Sequence, residues 1–151
     1  MRLNDIKKAF LASATPLSAM SMSAAERFAS FQQGDLLING NDKVEIYMDA
    51  NDCRGVSYAA NALVKDIRNV SGSQATITSN RKATILVGTI GHSAAIDQLV
   101  KQKRINGNLL KGKREKFIIT VVDNQLVIAG SDRRGTIYGI YGLSQQMGVS
   151  P

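Results

Sequence analysis

One apolar stripe constrains this chain more than any other feature. Val56, Ala59, Ala60, Leu63, Val64, Ile67 and Val70 recur at spacings of three and four, which places them on one face of a helix four turns long. Lys65, Asp66 and Arg68 lie off the stripe, and Ser71-Gly72 supplies a glycine for a left-handed terminal residue. A helix with one wet side and one dry side has to rest on another layer.

The neighbouring segments supply that layer as strands. Lys43-Val44-Glu45-Ile46-Tyr47-Met48 alternates polar and apolar, and Asp49-Ala50-Asn51-Asp52 is a turn rich in helix-capping side chains. Ala75-Thr76-Ile77-Thr78 is short and β-branched, and Ala83 to Gly88 is nearly all apolar, as a strand covered on both faces should be. A second helix is predicted from about Ala94 to Lys103, with Ser93 as cap and Ala95, Ile96, Leu99 and Val100 inward. Lys116 to Val122 and Gln125 to Ala129 read as a hairpin across Asp123-Asn124. A last helix runs from about Arg133 to Met147 and turns Ile137, Ile140, Tyr141 and Leu143 or Ser144 to the sheet. This order predicts an α+β fold, a two-layer sandwich of a mixed β-sheet with helices packed on it.

Residues 26–151 are expected to form that one domain, opening through Leu36-Leu37-Ile38 and the Asn39-Gly40-Asn41 turn. Residues 1–25 differ. Lys7-Lys8 precedes Ala9-Phe10-Leu11-Ala12 and then small residues, the parts of a secretory signal, yet Asp5 and Thr15-Pro16 interrupt it. They read as a degenerate export signal or a disordered tail. The first of these would put the protein in the periplasm or outside the cell. No segment is long and apolar enough to span a bilayer.

Nineteen Lys and Arg against twelve Asp and Glu give a net charge of +7. The excess gathers between residues 101 and 116, where Lys101, Lys103, Arg104, Lys111, Lys113, Arg114 and Lys116 face one acid, Glu115. Their setting reads as a solvated loop. The alternative is a stand-alone binding module that uses this segment on acidic polysaccharide or nucleic acid. The absence of Trp and the scarcity of other aromatics leave little for stacking bases, so nucleic acid is not the expected partner. Cys53 is the single cysteine and His92 the single histidine. Multi-cysteine metal sites are thereby excluded, and no zinc spacing or nucleophile elbow occurs. His92 is expected to be an exposed residue before the Ser93 cap, and no cofactor is implied.

The C-terminal segment is the most distinctive. A strand runs into Gly130, turns, and starts a helix with Ser131 or Asp132 as cap. Gly135, Gly139 and Gly142 recur at four and three, which costs helix propensity and points to close approach of another backbone. They do not form a dinucleotide fingerprint, because Gly130 is followed by Ser-Asp-Arg. Arg133 and Arg134 occupy a first turn where cations are disfavoured. Either an anion such as a sugar carboxylate binds there, or they pair with Asp132, Glu115 or a neighbouring domain's carboxylates.

Gly130-Ser-Asp-Arg-Arg-Gly-Thr-Ile-Tyr-Gly-Ile-Tyr141, followed by Gly148-Val149-Ser150-Pro151, resembles the end of the N-terminal domain of glycoside hydrolase family 115, the xylan α-1,2-glucuronidases. Asp52-Cys53-Arg54-Gly55-Val56, Ala59-Ala60, Leu63 and Asp66-Ile67 fit that domain's first helix, and Ile85-Leu86-Val87-Gly88-Thr89 its central strand. The likeness covers roughly residues 35–151. Arg-Gly-x-x-Tyr-Gly also recurs in the N-terminal domains of hexosaminidases and another α-glucuronidase family, which share the α+β sandwich. The resemblance implies a non-catalytic N-terminal domain of an enzyme that removes glucuronate or its 4-O-methyl ether from glucuronoxylan. In that family the catalytic carboxylates sit on a (β/α)-barrel that follows the Val-Ser-Pro segment. The chain is therefore expected to be inert alone, cut before its barrel, and to pack against that missing barrel through Asp132, Arg133, Arg134, Gly135, Tyr138, Gly139 and Gly142.

Overall fold

The computed structural model describes residues 43–150. The expectations for residues 1–25 and for Leu36-Leu37-Ile38 lie outside the described residues. In chain order the elements are β1 (Lys43–Met48), α1 (Arg54–Ser71), β2 (Gln74–Thr78), β3 (Ile85–Thr89), α2 (Ala94–Lys101), a 3-10 turn (Gly107–Leu109), β4 (Phe117–Val122), β5 (Gln125–Gly130) and α3 (Arg133–Gln146). The strands form one sheet in the order β2-β1-β3-β5-β4. Four run parallel and β4 is an antiparallel edge.

The expected α+β sandwich is present: a mixed sheet with three helices packed on it. Strand alternation divides its apolar residues between two faces. Val44, Ile46, Ala75, Ile85, Val87, Ile119, Leu126 and Ile128 meet α1 and α3 through Val56, Leu63, Ile67, Ile140 and Leu143. Tyr47, Leu86, Ile118, Val127 and Ala129 point the other way. The shorter α2 covers them with Ala95 and Ile96, helped by Ile105 and Leu110 from the basic loop. This is why β3 is buried along its whole length.

Local chemistry sets the element ends. Gly72 closes α1 in the left-handed region at φ 71°, where a side chain would be strained. Ser93 Oγ accepts from the Ile96 amide at the start of α2, 3.5 Å away, and His92 beside it is exposed. Asp123 and Asn124 both have positive φ, the geometry of a two-residue hairpin turn that matches strand twist.

The expectation for Tyr141 is corrected. It is 51% exposed, because helical spacing turns Gly139, Ile140, Leu143 and Ser144 inward and leaves Tyr138 and Tyr141 on the outer side of α3. No helix among the described residues is long and apolar enough to cross a membrane.

Candidate functional site

The C-terminal ends of β1, β3 and β5 share one edge of the sheet, and α1, α2 and α3 all begin there. In open parallel sheets this edge holds ligands, at the point where strand order reverses, here between β1 and β3. The free amides of the helix starts would be its anion donors.

In this chain its own carboxylates take amides at the starts of α2 and α3, whereas α1 begins at Cys53 without a side-chain cap. Asp49 accepts from Ala94 at 3.1 Å and from Asn51 at 3.1 Å. Asp52 accepts from Thr89 at 2.7 Å and from Cys53 at 2.6 Å. Asp132 accepts from Gly135 at 2.7 Å and from Glu115 at 2.9 Å. The amide of Asn51 holds the Asp49 carboxyl below its usual range against the cost of burial, helped by Ala94 and the Tyr47 hydroxyl. Burial alone would raise Asp132, but the amides of Gly135, Glu115 and Arg134 outweigh it and the group is lowered. The Thr89 and Thr136 hydroxyls lie 2.7 Å apart between β3 and α3, both fully buried. These three carboxylates brace the edge, each by accepting backbone amides. Among the described residues no three His, Cys, Asp or Glu come together as metal ligands would. Cys53 is a half-buried free thiol.

The expected contact residues around α3 separate into two sets. Asp132 is the cap, as expected. Gly135 and Gly139 face inward, onto the chain's own sheet. A Cβ on Gly135 would collide with the Lys116 carbonyl, and one on Gly139 would stand 2.7 Å from Ile128 Cγ2 and 3.3 Å from Phe117. Gly142 faces the Phe117 ring with room to spare, 3.8 Å from Cζ. The close approach expected of these glycines is real at Gly135 and Gly139, and the chain's own Lys116, Phe117 and Ile128 make it there. Arg133, Arg134 and Tyr138 point outward. Arg134 is bound to Glu115 at 2.9 Å and to the Tyr138 hydroxyl at 2.7 Å, so the pairing alternative describes it.

The seven cations of the basic segment are all exposed, and two of them, Arg104 and Lys116, are held at opposite ends of one strand. Arg104 pairs with Asp123, just past the end of β4, while Lys116 precedes its start and bonds with Ser131. A six-residue strand separates them, about 20 Å at strand rise. Buried Ile105 and Leu110 tie the segment down between those points.

Sequence reasoning missed the bracing role of Asp52 and Thr89, because only the ladder shows which amide each side chain meets. It also missed Arg54 and Tyr58. Both lie off the apolar stripe of α1, with the Arg54 guanidinium 5.8 Å from the Tyr58 ring centre.

Comparison with known proteins places this architecture. A family model described as the N-terminus of glycosyl hydrolase family 67 matches residues 27–143. Among solved structures, a family GH115 4-O-methyl-α-glucuronidase with specificity for decorated arabinogalactans matches at 35% identity and a TM-score of 0.66. The match covers 74% of this chain and 14% of that one. A structure named CpGH84D matches at 13% identity and a TM-score of 0.55, over 70% of this chain and 17% of that one, and so shares the fold. A search of curated proteins finds no match. The chain thus spans about a seventh of the glucuronidase it resembles. Matched over 27–143 and carrying the fold of a GH115 α-glucuronidase's corresponding part, it belongs to the glycosyl hydrolase family 67 N-terminus family.

Proposed function

We propose that this chain is the non-catalytic N-terminal accessory domain of an α-glucuronidase, and that the acid and base of the reaction are supplied by a (β/α)-barrel outside it. The family match over residues 27–143 carries this reading. The fate of the carboxylates supports it: Asp49, Asp52 and Asp132 are each engaged by backbone amides. Glycoside hydrolysis instead needs two carboxyl groups facing a shared space.

The substrate of the whole enzyme is a polysaccharide bearing glucuronate or 4-O-methylglucuronate. Its backbone is glucuronoxylan by the sequence resemblance and arabinogalactan by analogy with the GH115 structure. The uronic acid is common to both. Such polymers are met in the periplasm or outside the cell, where the proposal places the protein. The domain's part is mechanical, to dock on the catalytic domain and hold its shape.

The test compares uronic acid release from glucuronoxylan and from glucuronate-bearing arabinogalactan by three proteins: this chain, the catalytic portion of the GH115 enzyme, and the two fused. The chain alone should release none, and the fusion should be more active or more heat-stable than the catalytic portion alone. Uronate release by the 151-residue chain alone would overturn the reading.

A further inference from the structure

We propose that the α2 side of the domain carries a binding surface for acidic polysaccharide, built from Arg81, Lys82, Lys101, Lys103 and Arg104, which takes the carboxylates of a uronate-bearing chain. The inference rests on the accessory-domain reading for the identity of the polymer. It adds a site that holds the polymer without acting on it.

Strand order brings these cations together. β1 lies between β2 and β3, so the connection from Thr78 to Ile85 has to cross β1. It does so on the α2 side, where Arg81 Nη1 donates to Gln98 Oε1 at 3.1 Å. Gln98 and Lys101 are three apart on that helix and so are neighbours on its surface. The turn joining β4 to β5 holds both segments. Gln125 Nε2 donates to the carbonyls of Arg81 and Ala83 at 2.6 and 2.7 Å, and Asp123 pairs with Arg104. The cluster thus takes the first three cations of the basic segment and adds two from about twenty residues earlier.

All five cations are exposed, yet their backbone is fixed. Buried Ala83 and Ile105 directly follow Lys82 and Arg104. Lys103 closes the end of α2 in the left-handed region at φ 56°, where glycine is the ordinary choice. Its amide and that of Arg104 return to the Val100 and Leu99 carbonyls.

The charge pattern names the ligand's chemistry. Asp123 is matched to Arg104, and Asp97 turns back to the Gly91 amide before the start of α2. Arg81, Lys82, Lys101 and Lys103 make no ion pair among the described residues. The large hydrophobic residues left exposed among the described residues, Tyr58, Tyr138 and Tyr141, lie on α1 and α3, across the sheet. A single-stranded nucleic acid would need such rings to stack on. Carboxylates spaced along a polymer need cations alone, and several weak contacts to one chain reinforce each other. The Arg81 fork, steadied by Gln98, suits a carboxylate.

The test follows the full chain by affinity electrophoresis and calorimetry with glucuronoxylan, with glucuronate-bearing arabinogalactan, and with each polymer after its carboxyls have been reduced to alcohols. An acidic polymer should bind, its reduced form should not, and binding should weaken as salt rises. Arg81→Gln/Lys103→Gln should weaken it at least about threefold, the loss of two exposed charge contacts. Arg54→Gln/Lys65→Gln, on α1 across the sheet, removes the same charge and should leave binding unchanged. These positions are exposed, so unchanged thermal unfolding checks that each variant is folded.

No binding of either acidic polymer at low salt overturns the proposal, as does equal binding of the reduced forms. Binding indifferent to Arg81 and Lys103 overturns it too, and so does an equal loss in both variants, which would make net charge the cause. Duplex DNA bound as tightly through the same residues would assign the surface to phosphate polymers and also overturn it. The accessory-domain reading is judged separately, by uronate release from the fusion, and survives any of these results.

Discussion

At the scale of single residues, Asp132 does the most with one side chain. One carboxylate oxygen caps α3 through the Gly135 amide, and the other holds the Glu115 amide at the mouth of β4. Replacing Asp132 by Ala should cost about 1–2 kcal/mol in chemical denaturation, the range for a lost helix cap. Asp132→Asn should lose less, because the amide oxygen still accepts. Both Asp49 and Asp132 have carboxyls lowered from a usual value of 3.8. Their contribution is complete above that value and is lost as pH falls through the lower folded-state value. The folded protein should therefore weaken steeply in acid below about pH 4, and Asp132→Asn should flatten that slope in denaturation curves taken across it. Thr136 makes a second residue-scale case. Thr136→Val leaves the buried Thr89 hydroxyl without its 2.7 Å partner, and should cost about 1–3 kcal/mol by the same measurement.

At the scale of elements, α3 is built on small residues because it lies close against β4. Gly139→Ala would press a methyl into Ile128 and Phe117 and should destabilise by about 1–3 kcal/mol. Gly142→Ala meets Phe117 only at ordinary contact distance, so the gain in helix propensity should prevail and stabilise by up to about 1 kcal/mol. Thermal unfolding of the two variants should move in opposite directions. The periodicity of α1 was legible in the sequence because a single run of spacings decides which side is dry. The glycine spacing in α3 was legible too, as a demand for close approach. Its partner was not, since nothing local distinguishes Phe117 of the same sheet from a backbone in another domain. Tyr141 failed for a related reason: an amphipathic aromatic one turn from Ile137 fits either side of a helix, and here it lies on the outer one.

At the scale of the whole molecule, the basic segment shows how charge and architecture divide their work. Its lysines face water, while Ile105 and Leu110 are buried beneath the sheet's reverse face. Leu110→Ala should cost about 2–5 kcal/mol as a core truncation. Neutralising Lys111 and Lys113 should leave the denaturation midpoint within about 0.5 kcal/mol of its original position. The composition announced the charge, but the fold alone could show that a strand's length parts Arg104 from Lys116. Strand order was equally hidden, because β3 pairs with β1 and β5 and with neither of the strands next to it in the chain, β2 and β4.

That order has a consequence for the making of the protein. Each parallel ladder joins segments far apart in the chain, β1 to β3 across some forty residues and β3 to β5 across as many. The one hairpin among the described residues, β4 with β5, comes last. Of the described strands, a chain emerging from the ribosome up to residue 116 would own three, with an uncovered flank on β3 and no hairpin among them. Refolding should be correspondingly slow, and the interval before β5 appears is when a growing chain would be most open to wrong edge-to-edge pairing.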